Sequence, residues 1–315
     1  MDPKHRKAAD GVMYRQLIDA AKGKAAIRTA VVHPCDELSL AGALDAGLAG
    51  LIVPILVGPL AKIHKVAETA GKNLDGVELV DAPHSHAAAD RAVALVREGR
   101  AEAIMKGSLH TDELMAAVVP STTGLRTERR MSHVFAFDVP YYAKPLFVTD
   151  AAINIYPDLM TKRDIIQNAI DLVHALGIPN PKVAILSAVE TISPKIMSTV
   201  DAGALCKMAD RGQITGGLLD GPLAFDNAVS RSAAKAKGIV SPVAGDADIL
   251  VAPDLESGNM MAKQLVYFAG AHSAGIVLGA RVPIMLTSRA DDTLSRLASC
   301  AIAQLLVHRK TTQLP

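Results

Sequence analysis

Short runs of aliphatic and β-branched residues alternate with longer amphipathic stretches along most of this chain, and that rhythm limits its fold more than any other feature. Residues 27–32, 51–57, 77–80 and 103–105 read as strands. Between them lie a helix over 8–21 with Val12, Leu17 and Ile18 inward, and a second that Asp36 can cap and that ends near Gly47 or Gly50. A third is opened by Pro59 and reaches about residue 70, and a fourth runs over 87–98 and is ended by Gly99. The rhythm breaks at 120–130, where Pro120-Ser121-Thr122-Thr123-Gly124 is a loop signal. It resumes with strands at 132–139, 146–149, 183–186, 215–219, 249–251, 274–278 and 283–286. Helices are expected at 161–176, from Ser193-Pro194 onward, and at 291–307. Such repetition predicts an α/β fold with a mainly parallel sheet. No Gly-Ser or Pro-rich tether separates the halves, which favours a rigid cleft between two α/β lobes. In such folds ligands bind outside the carboxyl ends of the strands, so polar residues just after each strand are the ones to read.

Composition removes several function classes. Lys plus Arg is 33 against 32 for Asp plus Glu, so the chain is not a generally basic nucleic-acid or membrane binder, although local patches are allowed. Aromatic residues make up 3% and Trp is absent, which argues against stacking platforms for single strands or sugars. The longest uncharged stretches, 46–61 and 264–280, fall short of the roughly 20 residues of a membrane span. The charged start, Met1-Asp2-Pro3-Lys4-His5-Arg6-Lys7, has no apolar segment after it, so no signal peptide is expected. Cys35, Cys206 and Cys300 are few, odd in number and far apart, which fits a reducing cytoplasm.

Six clusters carry polar residues at predicted strand ends. Lys106-Gly107-Ser108 offers an ammonium, a hydroxyl and a close backbone approach, or simply a strand-to-helix turn. Leu125-Arg126-Thr127-Glu128-Arg129-Arg130-Met131-Ser132-His133 places three arginines in five positions, either a solvated loop or a set of planar forks for phosphate. Leu219-Asp220-Gly221-Pro222-Leu223-Ala224-Phe225-Asp226 reads as a strand end, a Gly-Pro turn and a helix start. Ser241-Pro242-Val243-Ala244-Gly245-Asp246-Ala247-Asp248 feeds a buried strand. In Pro253-Asp254-Leu255-Glu256-Ser257-Gly258-Asn259, helix capping alone can explain Asp254, Ser257 and Asn259. Leu286-Thr287-Ser288-Arg289-Ala290-Asp291-Asp292 precedes the last helix. Ser288 and Arg289 can donate to an anion, Asp291 or Asp292 can be base or cap, and a helix N-terminus itself suits phosphate. No P-loop, dinucleotide fingerprint or nucleophile elbow is present. His84-Ser85-His86 lacks a zinc-binding context, and His33, His110 and His133 are scattered with no catalytic role assigned.

In their order, the second to sixth clusters resemble the phosphate acetyltransferase and phosphate butyryltransferase family in its short form, from about Lys106 to the C-terminus. The most specific pieces are Gly221-Pro222-Leu223, Ser241-Pro242-Val243-Ala244-Gly245, Pro253-Asp254-Leu255 with Ser257-Gly258-Asn259, and Thr287-Ser288-Arg289. The resemblance implies a two-lobed α/β fold of the isocitrate dehydrogenase type, with mainly parallel sheets and the active site in the cleft. It places residues 1–139 and 288–315 in the first lobe and 140–287 in an inserted second lobe. It implies reversible transfer of a short acyl group, acetyl first, between coenzyme A and inorganic phosphate, by a homodimer with no bound cofactor or catalytic metal and coenzyme A as substrate. Asp291 then resembles the catalytic base, Ser288 and Arg289 the anion-binding pair, and Arg126 a second phosphate-binding arginine. Lys106, Ser257 and Asn259 join the substrate-binding set. The Ser288-Arg289-Ala290-Asp291-Asp292 spacing, Leu125-Arg126-Thr127 and Arg130-Met131-Ser132-His133-Val134 lean to the butyryl branch. They leave the acyl length open, and the spacing leaves Asp291 against Asp292 open too. Two alternatives remain. One is a metal- and nicotinamide-dependent β-decarboxylating dehydrogenase of the same fold, for which Asp220, Asp246 and Asp248 would have to supply ligands. The other is a catalytically silent binding lobe.

Overall fold

The computed structural model describes residues 11–286 and 292–313, and these form two compact units. One comprises residues 14–129, 274–286 and 292–313; the other comprises 11–13 and 130–273.

The first unit is built on β1 (Ile27–Val32), β2 (Ile52–Gly58), β3 (Glu78–Asp81), β4 (Ala103–Lys106), β10 (His272–Leu278) and β11 (Ile284–Met285), in the order β3-β2-β1-β4-β11-β10. β1, β2, β3, β4 and β11 run parallel, and β10 pairs antiparallel to β11. Five of the six β1 residues are buried, as expected for a parallel strand covered on both faces. Around the sheet lie α1 (Val12–Lys22), α2 (Glu37–Leu48), α3 (Leu60–Thr69), α4 (Ser85–Arg97), α5 (Thr111–Val118) and α11 (Thr293–Gln313). Asp36 caps α2, its carboxylate accepting from Ser39 N–H at 2.7 Å. Fully buried Ala88, Ala89 and Ala92 let α4 lie against β1 and β2.

The second unit has the order β5-β6-β9-β7-β8, from β5 (Ser132–Asp138), β6 (Leu146–Thr149), β7 (Lys182–Leu186), β8 (Leu218–Leu223) and β9 (Ile249–Val251). β5 and β6 are antiparallel; β6, β9, β7 and β8 are parallel. Its helices are α6 (Leu159–Ala175), α7 (Met197–Asp210), α8 (Phe225–Val229), α9 (Arg231–Ala236) and α10 (Leu255–Tyr267). Phe137, Leu146, Val148, Leu223, Val243 and Leu250 belong to one buried cluster. The backbone N–H of Met13 donates to the buried Asp138 carboxylate at 3.0 Å.

Three expectations shift. The units divide at 129/130 and 273/274 rather than at the suggested 139/140 and 287/288. β5 pairs with β6, while β10 and β11 pair with each other and β11 with β4. The helix expected from Ser193-Pro194 starts at Met197, because Ile196 N–H closes a turn on Ser193 O and the Thr199 hydroxyl binds the carbonyls of Ser193 and Ile196. The strand expected over 215–219 runs Leu218–Leu223, so Gly221-Pro222 lies within β8 rather than in a turn after it. A Cβ on Gly221 would meet Ile185 O of β7 at 2.8 Å, which explains glycine there.

Candidate active site

In the first unit the ends of β1 and β4 are locked together. Gly107 N–H donates to Val32 O at 2.9 Å and Ser108 N–H to His33 O at 2.9 Å. The Ser108 hydroxyl also donates to His33 O at 2.9 Å and accepts from Cys35 N–H at 3.1 Å. A Cβ on Gly107 would lie 2.3 Å from Val32 O, so only glycine permits this approach. His33 sits at φ +54°, the sole non-glycine with positive φ among the described residues. The Lys106 ammonium donates to Leu109 O at 3.1 Å and Gly107 O at 3.3 Å, keeping its charge on the strand-end loop. Cys35 beside it is half-buried, and burial pushes its thiol up to about 11, which makes it a poor nucleophile.

β11 runs beside β4 with Ile284 opposite Ile104 and Met285 opposite Met105, so the chain reaches Leu286 at the same end of the sheet as Lys106. Ser288, Arg289 and Asp291 lie outside the described residues. Asp292 is described, and it accepts from Ser295 N–H at 2.7 Å while its carbonyl accepts from Arg296 N–H at 3.2 Å. Asp292 is therefore the cap of α11. Arg126 is placed elsewhere in this unit. It bridges Ala280 in the turn joining β10 to β11, at the amino end of β11, and Thr127 ties the same segment to Gly279 O at 2.7 Å. Its side chain is exposed.

In the second unit two strand ends meet. The loop after β6 folds around Asp150, whose buried carboxylate accepts from the N–H groups of Ala152, Ile153 and Asn154 and from Asn154 Nδ2. Burial raises the pKa of this carboxyl group against those donors. After β9, Asp254 caps α10, accepting from Ser257 N–H and from the Ser257 hydroxyl, both at 2.8 Å. Asn259 Nδ2 then donates to Ala151 O at 3.0 Å, fastening α10 to the Asp150 loop. Ser257 and Asn259 are thus brought together by local structure. Asp150 and Asn154 were missed in the sequence, where Asp150 follows a strand with no glycine or charge run to mark it.

Asp220, Asp246 and Asp248 do not form a metal site. Lys144, Lys182 and Arg231 contact Asp246, and Lys144 also pairs with Asp248 at 2.7 Å. This cluster stands at the amino ends of β7 and β9, where Lys182 N–H donates to Asp248 at 2.7 Å. Burial opposes ionisation of Asp246, yet the two lysines prevail and hold its pKa at about 2. Among the described residues no group of three His, Cys, Asp or Glu side chains could hold a metal ion, and no helix is long and apolar enough to cross a membrane.

The description of the phosphate acetyl/butaryl transferase family matches residues 85–304, from the start of α4 well into α11. This chain belongs to that family. It is 64% identical over 297 residues to a phosphate acetyltransferase of Rhizobium meliloti, covering 94% of each chain. It is 42% identical to a phosphate butyryltransferase of Clostridium acetobutylicum, covering 94% of this chain and 99% of that one. A crystal structure of a branched-chain phosphotransacylase from Enterococcus faecalis V583 superposes with a TM-score of 0.77 at 30% identity, covering 90% of this chain and 99% of the other. Membership makes the chain an acyltransferase and sets aside both the dehydrogenase and the silent binding lobe. The family's matched span contains Lys106, Arg126, Ser257, Asn259 and the 287–291 segment.

Proposed function

We propose that this chain moves an acetyl group between coenzyme A and inorganic phosphate. The observation that carries the reading is 64% identity, over nearly the whole of both chains, to a protein named phosphate acetyltransferase. In the proposed mechanism Arg289 holds the phosphate group and Ser288 supports the developing oxyanion. One such donor is typically worth about 3 to 4 kcal/mol in a transition state. Asp291 takes the thiol proton as the sulfur attacks. Asp292 is the weaker candidate, since its carboxylate is committed to the cap of α11. Lys106 supplies a further positive charge at the end of β4. Arg126 stays a candidate phosphate ligand on the family's pattern alone, since its backbone lies at the amino end of β11, away from Lys106. Asn259 is proposed to meet a substrate donor through its carbonyl oxygen, which has no partner among the described residues, while its amide nitrogen holds Ala151 and Ser257 shapes the same loop.

The proposal includes a homodimer and needs no metal. α10 leaves Met260 and Tyr267 exposed, and Phe268 just past its end is 90% exposed, a surface a second copy would cover. Three free cysteines suit the cytoplasm. Butyryl transfer is the second reading, favoured by the short spacing around Asp291. The test supplies acetyl-coenzyme A and phosphate to purified protein with EDTA and follows release of free thiol. Phosphate-dependent release supports the reading. Release that is independent of phosphate, or none from folded protein, refutes it.

A further inference from the structure

Two asparagines in the second unit are held in the same way. After β6, Asn154 Nδ2 donates to Met131 O at 2.9 Å and to the Asp150 carboxylate at 2.6 Å. After β9, Asn259 Nδ2 donates to Ala151 O at 3.0 Å. A carbonyl oxygen only accepts, so Met131 O and Ala151 O fix which end of each amide is the nitrogen. The two Oδ1 atoms therefore turn away from these contacts, and neither has a partner among the described residues. The buried side-chain atoms without a partner among the described residues belong to His133, Asn227 and Gln304, so both asparagine oxygens are open to solvent.

The loops that carry them are sewn together. β6 and β9 are parallel neighbours with Thr149 opposite Val251, so Asn154 and Asn259 both follow carboxyl ends of the sheet, where ligands bind in such folds. Ala252 N–H donates to Thr149 O at 2.8 Å and Leu255 N–H to Ile155 O at 3.0 Å. A Cβ on Gly258 would lie 2.6 Å from Asp150 O, so glycine lets α10 close on the loop. The carboxylates are used up in this construction, Asp150 on four N–H donors and Asp254 on the amide and hydroxyl of Ser257. Bracing uses only the nitrogen of each asparagine. What remains is a pair of neutral acceptors beside two acidic side chains, ground that disfavours phosphate and suits N–H donors.

We infer that Asn154 and Asn259 receive the two amide N–H groups of the pantetheine arm of coenzyme A through their Oδ1 atoms. The inference rests on the proposed acetyl transfer and deepens it, naming the part of the substrate that this unit recognises. Phosphate and acetyl phosphate are anions rich in acceptors, and the acetyl group has nothing to donate. The pantetheine arm is neutral and carries two secondary amides in series, each with one N–H. An N–H taken out of water without a partner costs free energy, so two waiting acceptors select a thiol that bears such an arm over a bare thiol. Asn154 then joins Asn259 in choosing the acyl carrier.

The test uses coenzyme A analogues in which one or the other amide N–H of the arm is replaced by an ester oxygen, which removes a donor and keeps the shape. Thioester formation from acetyl phosphate is followed, with thermal unfolding recorded alongside. In the wild type each ester should raise KM for the thiol substrate about 3- to 10-fold and leave KM for acetyl phosphate within about twofold. Asn154→Ala and Asn259→Ala should each raise KM for coenzyme A by a similar factor. Each variant should also be insensitive to one of the two esters, because the lost acceptor no longer has a donor to miss. Asn154→Ser, whose hydroxyl can still donate to Asp150, takes the place of Asn154→Ala if that variant does not fold. Esters and variants whose effects multiply in every pairing overturn the inference. So does a wild type that handles both esters as it does coenzyme A, and either result leaves acetyl transfer intact. Wild-type protein without turnover on coenzyme A removes that reading and the inference with it.

Discussion

The two units end their parallel strands in contrasting ways. In the second unit the polar residues after β6 and β9 spend themselves on each other: Asp150 gathers four N–H donors, Asp254 takes the amide and hydroxyl of Ser257, and Asn259 ties both loops. In the first unit the ends of β1 and β4 are equally interlocked, but by backbone groups and one serine hydroxyl, which leaves the Nε2 of His33 without a described partner. The comparison teaches that a polar strand end is not in itself a site. A carboxylate surrounded by donors builds a loop.

The sharpest way to break that contrast is at the segment after β11. Ser288→Ala and Arg289→Ala should each lower kcat by about 10²- to 10³-fold while the protein stays folded, as loss of a transition-state donor does. Unchanged turnover in the double variant would remove this segment from the chemistry. Asp150→Ala tests the other side. It leaves four donors without their acceptor, and the fold should lose about 2 to 4 kcal/mol in denaturant titration. Lys106→Ala should instead raise KM for acetyl phosphate several-fold with little change in midpoint, and a reversal of these two outcomes would invert the assignment of scaffold and site.

Smaller effects sharpen it further. Asn259→Ala should raise KM for coenzyme A several-fold and cost about 1 kcal/mol of stability from the lost bond to Ala151. A stability loss with no change in KM would confine Asn259 to the scaffold. Asp246, held at about 2 in the folded chain, contributes stability that is present above its unfolded value near 3.8 and is lost as pH falls through 2. Asp246→Asn should flatten the acid limb of the stability profile between about pH 4 and 2 and leave turnover at pH 7 within twofold. The smallest effect belongs to the thiols. Cys35→Ala, Cys206→Ala and Cys300→Ala combined should keep catalysis, because burial raises all three and none is poised as a nucleophile. A folded but inactive triple variant would contradict this.

Much of the fold was legible because its strands are apolar and its helices carry ordinary punctuation. β1, β6 and β9 fall where periodicity places them, Asp36 and Asp254 cap as their positions suggest, and Pro59 precedes α3. What was hidden depends on pairing across the sequence. Gly221-Pro222 reads as a turn locally, but β7 draws it into β8. The limits of the two units depend on which strand β10 and β11 join, and no local pattern records that. The placement of the candidate residues was less legible than the fold. Lys106 and the 287–291 segment follow adjacent strands, whereas Arg126 belongs to the other end of β11. The positive φ of His33 was not legible, because it arises where the ends of β1 and β4 interlock through Ser108, 75 residues away.

The most direct measurement is the rate of thioester formation from coenzyme A with acetyl phosphate and, separately, with butyryl phosphate, in the presence of EDTA. The account predicts metal-independent turnover and a higher kcat/KM for acetyl phosphate. A higher value for butyryl phosphate would contradict the acetyl assignment, and no turnover with either substrate by folded protein would contradict the account as a whole.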